Sequence, residues 1–249
     1  MNGYQWSWGF LVSPVQEGSQ TTYLDWVLQG FLRTVELGLI SWILACVLGI
    51  ALGVARTWPN RFLNALAAGY VEVFRNIPLL VQLFIWYFVL PELLPVHWGD
   101  AYKQTSPVAQ QFTAAILCLS LFTAARVTEQ VRAGIEAIAG GQGRAALALG
   151  LTPWQSYWHV LLPVGLRTII PPLTSEFLNI FKNSCVASTI GLLELAAQGR
   201  QLVDYAARPY ESFLAVTISF AIINLLVMGG MYWLEAKTRL PGRNGKANA

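Results

Sequence analysis

Three stretches of the chain, Leu37 to Ala55, Gln104 to Ala125 and Ser212 to Leu234, contain no charged residue at all. Each approaches or exceeds the about 20 apolar residues with which a helix crosses the hydrocarbon core of a bilayer. Two further stretches are equally apolar but interrupted: Phe62 to Leu90 contains Glu72 and Arg75, and Thr168 to Leu193 contains Glu176 and Lys182. All five read as transmembrane helices, which makes the chain an all-α integral membrane protein. Composition agrees. Charged residues make up 12% of the chain and hydrophobic ones 55%, against about 25% and about 45–50% in a soluble domain. Disorder, which needs low hydrophobicity and high charge, is excluded. The ten Trp, nine Tyr and twelve Phe suit the two bilayer interfaces, where aromatic side chains collect.

A length of 249 residues fits one domain, and a net charge of +3 is too small to point to nucleic acid. Cys46, Cys118 and Cys185 lie in apolar stretches at wide, irregular spacing, neither a metal pattern nor a disulfide framework, and read as small buried hydrophobes. His97 and His159 are assigned neither metal binding nor catalysis. In the first uncharged stretch Ala45, Gly49 and Gly53 recur at four-residue spacing, a small-residue face suited to close helix packing.

Basic residues set the orientation. The first 32 residues hold no Lys or Arg, so they lack the basic start of a secretory signal and read as a retained, Trp-bearing tail. With that tail outside, the inward segments carry ten of the sixteen basic residues: Arg56, Arg61, Arg126, Arg132, Arg144, Arg167, Lys237, Arg239, Arg243 and Lys246. The outward ones carry only Lys103, Arg200 and Arg208. By the positive-inside rule the N-terminus lies outside and the C-terminus in the cytoplasm.

The longest inward connection, from about Arg126 to Arg167, has an unusual pattern. Arg144 to Leu149 are strong helix formers, and Gly150 suits a left-handed C-cap. Thr152, Pro153 and Gln155 make an N-cap, a first helical residue and a capping box. Trp154, Trp158 and Leu161 then fall on one helical face, and Pro163 is expected to stop the helix. Two readings fit: a pair of short helices meeting at a fixed bend in the cytoplasm, or an amphipathic helix lying on the membrane.

The segment Arg144-Ala145-Ala146, then Gly150, then Val160-Leu161-Leu162-Pro163, resembles the EAA loop of permease subunits of bacterial ABC importers. Arg144 stands where that family usually has Glu. Tyr70-Val-Glu72-Val-Phe74-Arg75-Asn-Ile-Pro78-Leu-Leu-Val-Gln82 resembles the signature of polar amino acid permeases, with Asn76-Ile77 where Gly-Thr is common. Glu129-Gln-Val-Arg132-Ala-Gly134 and Phe181-Lys182-Asn183-Ser184 resemble further segments of the same family, and the likeness runs from about Gly30 to Leu240. The strings Leu121 to Arg132 and Leu90 to Pro95 are most similar to a permease of a glutamate/aspartate importer.

The resemblance implies an ABC type-1 permease fold. It comprises an extracytoplasmic tail at residues 1–26, a transmembrane domain at 27–236 with its coupling loop at about 141–163, and a cytoplasmic tail at 237–249. It assigns ATPase coupling to Arg144, Ala145, Ala146, Leu147, Gly150, Leu151, Thr152, Pro153, Leu162 and Pro163. The implied partners are two cytoplasmic ATPase subunits, a second permease chain (a similar subunit or a second copy), an extracytoplasmic substrate-binding protein and the lipid bilayer of the bacterial inner membrane. The chain has no phosphate-binding loop of its own, because Gly245-Lys246 is followed by Ala247. No cofactor is therefore expected in it, ATP and Mg belonging to the partner ATPase, and the chain is not itself an enzyme.

Ionisable groups within spans are rare and mark pathways. Glu72 and Arg75, three apart, share a face and are expected to pair; Glu176 and Lys182, six apart, each need another partner. The substrate pathway is assigned to Arg75, Gln82, Arg126, Glu129, Lys182, Asn183 and Ser184. Arg126 replaces the Tyr common in the family, and a guanidinium binds the extra carboxylate of an acidic amino acid. Plainer roles also stand: an ion pair for Glu72 and Arg75, a snorkelling Lys182, and an Arg126 that anchors the membrane edge. A secondary transporter driven by an ion gradient is the alternative function, but no inverted repeat is evident. An importer of the same family for glutamine, histidine or arginine is another. A membrane enzyme lacks the clustered polar groups it would need.

Overall fold

The computed structural model describes residues 4–238. Arg239, Arg243, Gly245-Lys246 and most of the expected C-terminal tail lie outside the described residues. Twelve α-helices follow in order among the described residues: α1 Tyr23–Thr57, α2 Arg61–Asn76, α3 Leu79–Phe84, α4 Leu90–Leu93, α5 Val96–Lys103, α6 Pro107–Ile138, α7 Arg144–Ala148, α8 Pro153–Ser156, α9 Leu162–Thr168, α10 Ile170–Asn183, α11 Leu195–Ala206 and α12 Pro209–Thr238. No strand is present among the described residues, only an isolated bridge between Pro14 and Thr22.

Helices long and apolar enough to cross a membrane are α1, α6 and α12, and they contain the three uncharged stretches except Gln104 to Ser106, which precede α6. The two interrupted stretches are not straight. The chain turns by 103° between α2 and α3. Ile77 there is extended, with ψ 127°, because the ring of Pro78 disfavours helical backbone in the residue before it. The other turns by 52° before α11, after a 3-10 segment Ser184–Ile190 that ends at Gly191 with φ +88°. Three single helices and two bent helix pairs stand where five uniform helices were expected.

Backbone contacts divide the chain into two units. The first holds the residues up to Trp42, Pro78–Leu119 and Ile180–Leu225. Its N-terminal tail is tied down rather than free. Ser7 N–H donates to Glu211 Oε1 at 3.0 Å, Tyr4 donates to the same carboxylate, and Arg208 donates to Gln5 O at 3.1 Å. Fully buried Glu194 caps α11, accepting from Ala196 and Ala197 N–H at 2.9 and 2.8 Å. These bonds satisfy donors that a helix N-terminus otherwise leaves open.

The second unit holds Ile43–Ile77, Ser120–Asn179 and the described residues from Leu226. Here the small-residue face of α1 meets α6. A Cβ on Gly49 would lie 2.6 Å from Val127 Cβ, and one on Gly53 would lie 2.4 Å from Val131 Cβ. Thr128 Oγ1 donates to Ala124 O at 2.7 Å and reaches Gly49 O at 3.3 Å, so the crossing is sealed by a hydroxyl as well as by shape.

Candidate functional site

The connection after α6 is shorter than expected. Arg126 to Ile138 continue α6, and the loop proper begins with a π-turn, Ala139–Gly143. Helix α7 then ends as anticipated: Gly150 has φ +88°, its N–H donates to Leu147 O at 3.0 Å, and Leu151 N–H donates to Ala146 O at 3.2 Å. That pair of bonds is a Schellman cap. The next helix opens on the complete capping box, with Gln155 N–H donating to Thr152 Oγ1 at 3.2 Å and Thr152 N–H to Gln155 Oε1 at 2.9 Å. The loop is therefore a hairpin of two short helices, α7 and α8, with a fixed bend between them.

Pro163 does not stop the helix. A second π-turn, Tyr157–Leu161, precedes it, and Leu162 N–H reaches back five residues to Tyr157 O. Proline then occupies the first turn of α9, where its missing N–H is not needed. Pro91 follows the π-turn Ile85–Val89 in the same way.

Arg144, Leu147, Thr152 and Pro153 line one groove of about 600 Å³ with Trp58, Trp154, Tyr157 and Leu161. Its lining is apolar and aromatic apart from a few hydroxyls and the cationic Arg144. Ala146 is buried, while Leu147, Leu149 and Trp154 remain exposed. Ala145 and Pro163 are also exposed, and Leu151 and Leu162 are half-buried. Trp58, in the turn after α1, meets Trp154 and Tyr157 edge-on at centroid distances of 4.8 and 4.9 Å. Burial pushes the Tyr157 hydroxyl above its usual range. Neither Trp58 nor Tyr157 was marked by the motif spacing.

The pathway residues do not form one cluster. Glu129 on α6 accepts from Arg56 at 2.7 Å and from two nitrogens of Arg132 at 2.9 and 3.1 Å, and Arg132 also reaches Glu136 at 2.6 Å. A carboxylate so engaged is a structural clamp between α1 and α6. Arg126 instead faces Glu176 of α10 at 3.5 Å, and Gln130 Nε2 donates to the other Glu176 oxygen at 3.2 Å. Glu176 thus finds the partner its place in an apolar helix demands. Phe122 lies under the guanidinium at 5.3 Å. The Arg126 side chain is 45% exposed, that of Glu176 only 11%. A guanidinium has five N–H donors, so one long contact leaves most of its fork open.

Glu72 does not pair with Arg75. It accepts from Asn76, one turn on, at 2.9 Å, and Arg75 is exposed at the end of α2. In the first unit Gln82 is buried in α3, Lys182 is exposed, and buried Ser184 turns back onto Phe181 O at 2.7 Å. Asn183 borders a void of only about 10 Å³ with Leu79, Leu83 and Cys118. Gln130 is the Glu176 partner that spacing could have found, one turn beyond Arg126 on the same face.

Residues 45–240 match the family model of binding-protein-dependent transport system inner membrane components. The chain is 50% identical to the glutamate/aspartate import permease protein GltJ of Escherichia coli (strain K12), over 96% of this chain and 98% of that one. It is 30% identical to the probable glutamine ABC transporter permease protein GlnM of Bacillus subtilis (strain 168), over 86% and 92% of the two chains. A crystal structure of an amino acid ABC transporter with histidines superposes with a TM-score of 0.74 at 26% identity, covering 86% of this chain and 95% of that one. The MetNI methionine ABC transporter in an inward facing conformation gives 0.69 at 21% identity over 87% and 98%, a likeness of fold. The chain belongs to the family of binding-protein-dependent transport system inner membrane components.

Proposed function

We propose that this chain is the membrane subunit of an ATP-driven importer of acidic amino acids, glutamate and aspartate, in the bacterial inner membrane. Its partners are two cytoplasmic ATPase subunits, a similar but non-identical permease chain and an extracytoplasmic substrate-binding protein. The N-terminus lies outside and the C-terminus in the cytoplasm. ATP and Mg are bound and hydrolysed by the ATPase, not by this chain. The observation that carries the reading is the α7–α8 hairpin. It is fixed at its bend by a Schellman cap and a capping box, yet leaves Leu147, Leu149 and Trp154 exposed around an apolar groove. An apolar surface of that kind on a loop marks a protein contact. A rigid hairpin docked on a moving ATPase works as a lever and switches the membrane path between outward and inward access.

The 50% identity to a glutamate/aspartate permease supports the substrate class. Arg126 gives it a chemical basis. Arg126 lies at the inner end of its span, and its side chain is half-exposed and faces Glu176. Its open fork matches the side-chain carboxylate of an acidic amino acid. The test is uptake of labelled glutamate, aspartate and glutamine into vesicles carrying the complete complex, with ATP inside. Glutamate and aspartate uptake should require ATP, and Arg126→Tyr should shift preference away from them toward glutamine by about tenfold, the loss expected for one charge-assisted contact. Uptake that runs on a proton or sodium gradient without ATP overturns the importer; an unchanged preference among the three substrates overturns the role of Arg126.

A further inference from the structure

The coupling hairpin hangs from two roots of different build. The first, Ala139–Gly143, is a π-turn with glycine at 140, 141 and 143, and nothing lies within 4 Å of where a Cβ on Gly141 would be. Gly143 is buried against Leu161 and its carbonyl accepts from Ser156 Oγ at 3.5 Å, so the freedom that glycine gives this root is confined to Gly140 and Gly141. The second begins at Tyr157, which is buried. Its hydroxyl shares a hydrogen bond with Thr57 Oγ1 at 2.7 Å and donates to Val54 O at 3.3 Å, both in the last turn of α1. Its ring meets Trp58, which also meets Trp154 on the α8 arm. Next to Thr57, Arg56 is held by Glu129 of α6. The tyrosine root thus has a hydrogen-bonded path into the last turn of α1 and, through Arg56 and Glu129, to α6.

We propose that Tyr157, backed by Trp58, is the positioning residue that passes movement of the hairpin into the last turn of α1 and, through Arg56 and Glu129, into α6. The inference rests on the ATP-driven reading above. The Tyr157–Thr57 hydrogen bond keeps the hairpin and α1 in step, so its loss lets the hairpin move without the membrane helices. ATP is then still hydrolysed, but fewer substrate molecules cross for each one.

The test measures ATP hydrolysis and uptake together in vesicles holding the complete complex, and reports uptake per ATP. Tyr157→Phe keeps the ring and the Trp58 contact but removes the hydroxyl. Hydrolysis should stay within about twofold, while uptake per ATP falls about fivefold, the equivalent of one net hydrogen bond. Thr57→Val, which leaves the bond to Val54 O, should give a smaller loss of the same kind, the double variant no further loss than Tyr157→Phe, and Thr57→Ser, which keeps a hydroxyl, nearly normal coupling. An unchanged ratio in Tyr157→Phe overturns the proposal. So does a parallel fall in hydrolysis and uptake, which a merely structural role would produce, and so do losses from Tyr157 and Thr57 that add. Absence of ATP-dependent uptake in the unaltered complex is a different failure, that of the importer reading itself.

Discussion

Arg126 and Glu129 stand less than one turn apart on α6, yet they belong to charge clusters of opposite character. Around Glu129 the acid is the shared group: Arg56 and Arg132 close on it at 2.7 to 3.1 Å, and its side chain is 20% exposed. Around Arg126 the cation has room to spare, with one contact to Glu176 at 3.5 Å and 45% of its side chain exposed. Charged hydrogen bonds in proteins run to about 2.7–2.9 Å, so the first cluster is closed and the second is open. Charge in an apolar span is therefore no single signal. A carboxylate between two arginines fixes helices, whereas an arginine with an open fork is available to a ligand.

The sharpest way to break this contrast is Glu129→Met. It leaves Arg56 and Arg132 with no carboxylate between them and should destabilise the folded chain by about 2–3 kcal/mol, the worth of charge-assisted hydrogen bonds at a partly buried site. Thermal unfolding of the purified complex in detergent would show the loss, together with reduced accumulation in membranes. Unaltered stability would mean that the cluster does not clamp α1 to α6.

Next in size is Arg126→Met, which strands a largely buried Glu176 with Gln130 alone. The expected cost is about 1–2 kcal/mol, because the lost contact is long and half-solvated. Adding Glu176→Gln removes the stranded charge and should restore most of that stability, since replacing both partners is far less damaging than removing one. Glutamate and aspartate uptake should stay impaired in the double variant. Recovery of uptake along with stability would make Arg126 a structural anchor.

What was legible in the sequence follows the range of the interactions. The Gly150 cap and the Thr152–Gln155 box are contacts within six residues, so their chemistry is written locally. The face of Ala45, Gly49 and Gly53 announced a close approach, but not that Val127 and Val131 would fill it. Pro163 misled because a stop and a restart use the same residue, and only the π-turn before it separates them. The bend at Pro78 was hidden by hydropathy that continues across it. Arg126 and Glu129 looked alike because their difference lies in partners 73 and 50 residues away, Arg56 for one and Glu176 for the other. The docking of Tyr4 onto Glu211, 207 residues on, had no local sign at all.

The smallest effect, and the one that most sharpens the contrast, is expected from Gln130→Leu. Among the described residues Glu176 has two partners, and Gln130 holds the oxygen that Arg126 does not. If Arg126 is to turn toward a substrate carboxylate, Glu176 must keep some neutralising contact meanwhile, and the Gln130 amide is the group placed to supply it. Removing that amide alone should cost about 1 kcal/mol in thermal unfolding, the worth of a single hydrogen bond. The informative quantity is its coupling to Arg126. With Gln130 gone, Arg126 becomes the sole support of Glu176 among the described residues, so Arg126→Met should be costlier in the Gln130→Leu background by about 0.5–1 kcal/mol than on its own. No such coupling is expected between Gln130→Leu and Arg56→Met, because Arg56 and Glu129 form a separate closed cluster. Additive losses in the first pair would mean that Glu176 does not depend on the two groups jointly, and the division of α6 into a closed clamp and an open site would lose its physical basis.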